Sequence, residues 1–153
     1  MGTDIELHIE EKVNGVWHLV EQDPNNRLFD WRNYGMYAFL AGVKNYSAIE
    51  PISKPRDIPD DISPELRKIV DENLGHSASW LTIKELKDFD YNQTIEDRRY
   101  TKQIIPTFSD GGATCEPGQG TKMPLSEFLC ESYFKQLNEF VDGEYRIVFW
   151  FDC

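Results

Sequence analysis

From Asp4 to Glu10 polar and apolar residues alternate without a break, and this opening constrains the fold more than any other stretch. Side chains along a strand alternate faces with period two. The pattern therefore predicts a strand over 3–13, with Ile5, Leu7 and Ile9 on a core-facing side. Asp4, Glu6, His8 and Glu10 line up on the other side. Like charges stacked along one face repel. Such a face needs a cation, a basic neighbour such as Arg146, or a ligand.

The Asn14-Gly15 pair supplies the two positive-φ positions of a tight hairpin, so 16–21 reads as the return strand, with Trp17 and Leu19 opposite in facing to His18 and Val20. Residues 28–43 read as a helix, with a start signal at Asn33 and a stop at Gly42. Pro51, Pro55 and Pro59 make an extended loop. Ser63-Pro64 then opens a second helix with a capping side chain and a proline at its first position, its apolar stripe being Leu66, Ile69, Val70 and Leu74 up to Gly75. Thr82 and Glu85 form a capping box for a helix to about Phe89. A short helix is predicted over 94–102, a Gly/Pro-rich loop over 106–124, and the longest helix over Leu125–Val141. Tyr145–Asp152 is apolar on both faces, as a central strand is.

The predicted architecture is a single α+β domain. A small, mainly antiparallel sheet, made of the N-terminal hairpin and the C-terminal strand, is covered by helices from the middle of the chain, and the two chain ends pair side by side. At 153 residues the chain can bury a substantial core.

The net charge of −11 opposes non-specific binding to nucleic acid polymers, where lysine and arginine must neutralise phosphates, and opposes anionic membranes. No apolar run approaches a membrane span, and no signal-like pattern opens the chain, so a cytoplasmic location is expected. Cys115, Cys130 and Cys153 lack metal-type spacing and read as reduced thiols. No metal and no cofactor are expected. Gly112–Lys122 lacks the spacing and the Gly-Lys-Ser/Thr of a phosphate loop, and Arg98-Arg99 is too short for a nucleic-acid patch.

Three groups of residues are candidates for chemistry. On the first strand, Asp4 and Glu6 suit ligand hydroxyls, while His8 suits proton transfer. In Gly75–Trp80, small residues flank His76, a potential general acid or base, and Ser77 stands beside a helix start whose amides suit an anion. Arginines form the third group: Arg32 before a helix, Arg56 in a proline-held loop and Arg146 on the last strand suit bidentate phosphate or carboxylate recognition. Trp31, Tyr34, Trp80 and Trp150 can stack on a base or pack the core. For every one of these residues a structural role stands beside the functional one.

Met1–Glu6, Arg32-Asn33-Tyr34, Pro51–Arg56, His76–Leu81 and Arg146–Asp152 resemble the motifs of an uncharacterised bacteriophage and prophage protein family. That family opens Met-Gly-x-Asp-Ile-His; here Glu6 stands at the histidine and His8 follows on the same strand face. The resemblance covers most of the chain and implies a phage origin, with the host cytoplasm as its setting. In that setting the expected function is binding and sequestration of a small nucleotide-derived immune signal, such as a cyclic dinucleotide or an ADP-ribose derivative. Arg56, Arg32 and Arg146 would hold phosphates, Trp80 or Tyr34 would stack, Asp4 or Glu6 would take ribose hydroxyls, and Gly111–Gly120 would close over the ligand. Self-association fits this reading, because a shared interface can complete a pocket. Two alternatives stay open: a phosphodiesterase using His76 and His8, and an acidic inhibitor that binds a host defence protein.

Overall fold

The computed structural model describes residues 2–99 and 115–152. The elements run β1 (Asp4–Val13), β2 (Val16–Val20), α1 (Tyr34–Ala41), α2 (Pro64–Asn73), β3 (His76–Thr82), α3 (Ile83–Asp88), β4 (Thr94–Asp97), β5 (Thr121–Pro124), α4 (Leu125–Leu137) and β6 (Glu144–Asp152). Four strands form an antiparallel sheet in the order β2-β1-β6-β3, and β4 pairs with β5 in a separate ribbon. The chain ends do pair: Asp4 lies opposite Asp152, and Lys12 opposite Glu144. At the β1–β2 turn Asn14 and Gly15 adopt φ of 51° and 80°, the two left-handed positions that a tight hairpin demands.

Alternation along the strands sorts the core into two layers. Leu7, Ile9, Ile147, Phe149, Phe151 and Leu81 face the main core, closed by Phe39 and Leu40 of α1, Leu86 of α3 and Phe128, Leu129 and Tyr133 of α4. Val148 and Trp150 face the other way and meet Leu66 and Val70 of α2. The polar side of β1 is therefore covered at His8 and Glu10, while Asp4 and Glu6 stay accessible. Glu10 is fully buried and His8 nearly so, a correction to the half-buried strand that the alternation alone implies.

The helix starts follow local chemistry. Asn33 caps α1 by accepting from the Met36 N–H, Ser63 caps α2 by accepting from Leu66, and Thr82 and Glu85 close the capping box of α3. Gly42 ends α1 in the left-handed conformation with φ 71°.

Five expectations about elements are corrected. His76–Thr82 is not a linker between helices but the edge strand β3, paired with β6 across a register shift between His76 and Ser79. Thr94–Asp97 is a strand and not a helix. The first helix begins at Tyr34 rather than 28, and the last ends at Leu137 after a kink at Cys130. Within the predicted 106–124 loop, Thr121–Pro124 forms β5, while residues 106–114 lie outside the described residues.

Candidate functional site

The predicted site residues fall into two groups at opposite ends of the sheet. Arg146, Arg56 and Trp80 belong to the lower end, on the α2 side. Arg146 stands directly across from Glu10. Its Nε donates to Glu10 Oε1 at 2.8 Å, its Nη2 lies 2.7 Å from the same oxygen, and its Nη1 donates to Asp61 at 2.9 Å. Glu10 Oε2 accepts from the Ser63 N–H at 2.8 Å, which ties the buried pair to the start of α2. Arg56 makes a two-point pair with Glu85 at 2.9 and 2.6 Å and donates to Ser53 Oγ and the Trp80 carbonyl. That guanidinium holds the Glu85 carboxyl down at about 2.

Cations and indoles alternate across this end. Lys12 lies 5.7 Å from the Trp17 ring, Arg146 sits 4.1 Å from Trp17 and 5.8 Å from Trp80, and Arg56 sits 4.8 Å from Trp80. Cation–π contacts of this kind stabilise by roughly 0.5–2 kcal/mol each, more where water is excluded. Carboxylates pair with both guanidiniums and indoles cover their faces, so this end works as a brace for the sheet.

The upper end gathers Asp4, Glu6, Arg32 and Tyr34, with His76 and Ser77 on the neighbouring edge. Here the first five residues of β1 lie beyond the reach of β2, whose pairing begins at Ile9. Side chains satisfy the exposed backbone instead. The Thr3 N–H donates to Tyr34 Oη at 3.0 Å and the Ile5 N–H to Tyr37 Oη at 3.2 Å. The Leu7 carbonyl accepts from Gln22 Nε2 at 3.1 Å and Arg27 Nη2 at 3.2 Å. Burial pushes the Tyr37 hydroxyl up to about 12, so it stays a neutral partner. Arg32 grips Asp4 with two bonds of 2.9 and 2.8 Å, and its guanidinium packs so close to Gly2 that a Cβ there would stand 2.0 Å from Nη1.

Beside this edge is a cleft of about 320 Å³ lined by Glu6, Arg27, Asp30, Asn73 and Asp152 over Leu28, Phe29 and Trp150. A smaller hollow of about 140 Å³ adjoins it through Ile5 and Asp30, and is lined by Asp4, Trp31, Arg32 and Tyr37. Trp150 is fixed by donating its indole N–H to the Asn73 carbonyl at 3.0 Å. Burial raises the Glu6 carboxyl above its ordinary range, against the pull of Arg27. Arg27 has its one bond to Leu7 and no carboxylate within ion-pair distance among the described residues. Sequence reasoning passed over Arg27, because it sits in a turn outside every motif; the signal was an arginine within a polar break, between Asn26 and the apolar pair Leu28-Phe29.

His8 lies just below, its ring 5.4 Å from Trp150 and its Nε2 3.9 Å from Glu6 Oε1. Nε2 is buried with no hydrogen-bond partner among the described residues. Burial first, and then Arg27, lower the imidazole to about 4, so His8 is neutral at pH 7. His76 is elsewhere: exposed, with Nδ1 3.0 Å from Ser77 Oγ and its ring against Phe151. His8 is paired with Val148 and His76 with Phe151, residues that face opposite sides of the sheet. The two imidazoles do not converge. Nor do the three arginines singled out from the sequence, each of which is held by a carboxylate in a different place.

No helix among the described residues is long and apolar enough to cross a membrane. Compared with protein-family models, curated proteins and solved structures, the chain matches none.

Proposed function

We propose that this chain binds a small nucleotide-derived ligand at the free edge of β1 and holds it without cleaving it. The carrying observation is the cleft itself, where Arg27 has no carboxylate partner among the described residues while Glu6, Asp30 and Asp152 line the same space. Arg27 replaces Arg56, Arg32 and Arg146 as the phosphate contact in this reading, because each of those is neutralised by a carboxylate and Arg27 has none within ion-pair distance among the described residues. The carboxylates take ribose hydroxyls or base N–H groups. Trp31, half-buried in the adjoining hollow, offers a ring for stacking.

The volume lies at the lower end of the ~300–1,000 Å³ common for ligand sites, which favours compact members of the class. The single arginine among several carboxylates favours a ligand with one phosphate charge near Arg27 and donors elsewhere. The separation of His8 from His76 supports capture over hydrolysis, since general acid and base must both reach the reacting group. The resemblance to a phage family supports a host immune signal as the ligand.

Calorimetric titration with a panel of cyclic nucleotides, cyclic dinucleotides and ADP-ribose derivatives tests the assignment. Arg27→Ala is expected to weaken binding at least tenfold and Glu6→Ala severalfold, while Arg67→Ala, on the exposed side of α2, leaves it unchanged. Equal affinity in Arg27→Ala and the parent protein would contradict the site.

A further inference from the structure

A second concavity, of about 510 Å³, lies between the end of β2 and the turn that joins α4 to β6. Its floor is apolar, built from Val20, Leu28, Phe140 and Tyr145, and Val141 stands at its margin 81% exposed. Its rim carries Glu21, Asp23, Glu139 and Asp142, and no lysine, arginine or histidine lines it among the described residues. None of these four carboxylates has an ion-pair partner among the described residues. The arrangement is specific in both of its parts. An apolar floor takes aliphatic side chains, and a rim of one charge sign rewards cations that arrive beside them.

The walls are held in place. The Leu28 N–H donates to Gln22 Oε1 at 2.8 Å and the Phe29 N–H to Gln136 Oε1 at 2.7 Å, so Leu28 and Phe29 are pinned between the segment that follows β2 and α4. Preorganised walls reduce the ordering cost of binding.

We propose that this groove docks a short segment of a second protein in which lysine or arginine alternates with aliphatic residues. Aliphatic side chains settle on Val20, Phe140 and Val141. The flanking cations meet Glu21 and Asp23 on one bank and Glu139 and Asp142 on the other. Charge complementarity is the argument for this occupant, because a second copy of the chain, at net −11, would bring like charge to the groove. The groove shares Leu28 with the nucleotide cleft but uses none of its charged groups, so the two assignments stand or fall separately.

Fluorescence anisotropy with a labelled Lys-Leu-Lys-Leu-Lys peptide at 0.15 M salt tests the proposal. Saturable one-to-one binding is expected, at least tenfold tighter than for Ser-Leu-Ser-Leu-Ser or for pentalysine. The exposed pair Glu139→Lys with Asp142→Lys is expected to weaken it at least tenfold and Val141→Ser severalfold. Asp71→Lys with Glu72→Lys, on α2, should change it less than twofold, as should Arg27→Ala. The proposal is overturned if no saturable binding occurs, if pentalysine binds as well as the mixed peptide, or if reversal on α2 weakens binding as much as reversal at the groove.

Discussion

Glu10 and Arg146 show how one residue pair decides the use of a whole face. Both are buried, and each reaches a group outside the sheet: Glu10 the Ser63 N–H, Arg146 the Asp61 carboxylate. Removing one partner of a buried pair strands the other charge, at a cost of about 3–5 kcal/mol. Glu10→Ala is therefore expected to lower the urea midpoint by that equivalent, while Glu10→Leu combined with Arg146→Met recovers most of the loss. Acid acts elsewhere, most on His8 and Glu85. His8 is held at about 4 in the fold against 6.5 in the open chain, so the unfolded state binds the extra proton and stability falls as pH drops from 6.5 towards 4. Glu85 is held at about 2 against 4.5, so its contribution is complete above 4.5 and is lost as pH falls from there towards 2. Unfolding measured across pH should show both windows, with the upper one missing in His8→Gln and the lower one reduced in Glu85→Gln, since Asp4, Glu96 and Asp97 are also held down by arginines.

At the scale of elements, the open edge of β1 and the fit of β3 carry the consequences. Tyr37→Phe leaves the Ile5 N–H without its acceptor, a cost of about 1–2 kcal/mol, readable as a lower denaturation midpoint with the fold kept. Gly75 approaches β6 so closely that a Cβ would stand 2.0 Å from the Phe151 carbonyl oxygen. Gly75→Ala is expected to cost about 3 kcal/mol through displacement of β3, seen as a fall in thermal midpoint. These elements also mark how far the sequence could be read. The β1 alternation, the Asn14-Gly15 turn, the caps at Asn33, Ser63 and Thr82, and the central placing of β6 all follow from local rules, and all hold. β3 was hidden because Ser77, Ala78 and Ser79 have no strand pattern of their own; pairing with β6 imposes the conformation. The 94–97 strand likewise depends on its partner at 121–124, far along the chain. The site was less legible than the fold. Its arginines were recognisable as residue types, but which guanidiniums are spent on Asp4, Glu85 and Glu10 is a tertiary fact, and Arg27 emerges only when those are subtracted.

Over the described residues, Lys12, Arg32, Arg56, Arg98, Arg99 and Arg146 are held in ion pairs, and three of them also lie against indoles. The excess of negative charge is carried by acids that include the rims of both concavities. In the proposed reading, Arg27 is the positive group that the cleft offers a small anion. The Lys12–Trp17–Arg146–Trp80–Arg56 series braces the α2 side of the sheet, and the cleft proposed as the ligand site lies at the opposite end. The central claim is capture at that end without turnover. The most direct measurement is to mix the purified protein with the nucleotide panel, pass the mixture through a filter that retains the protein, and chromatograph the filtrate before and after heat denaturation. The account predicts that one ligand disappears from the first filtrate and returns chemically unchanged in the second, and that Arg27→Ala abolishes the loss. A filtrate unaltered by the protein, or one containing new products, would contradict it.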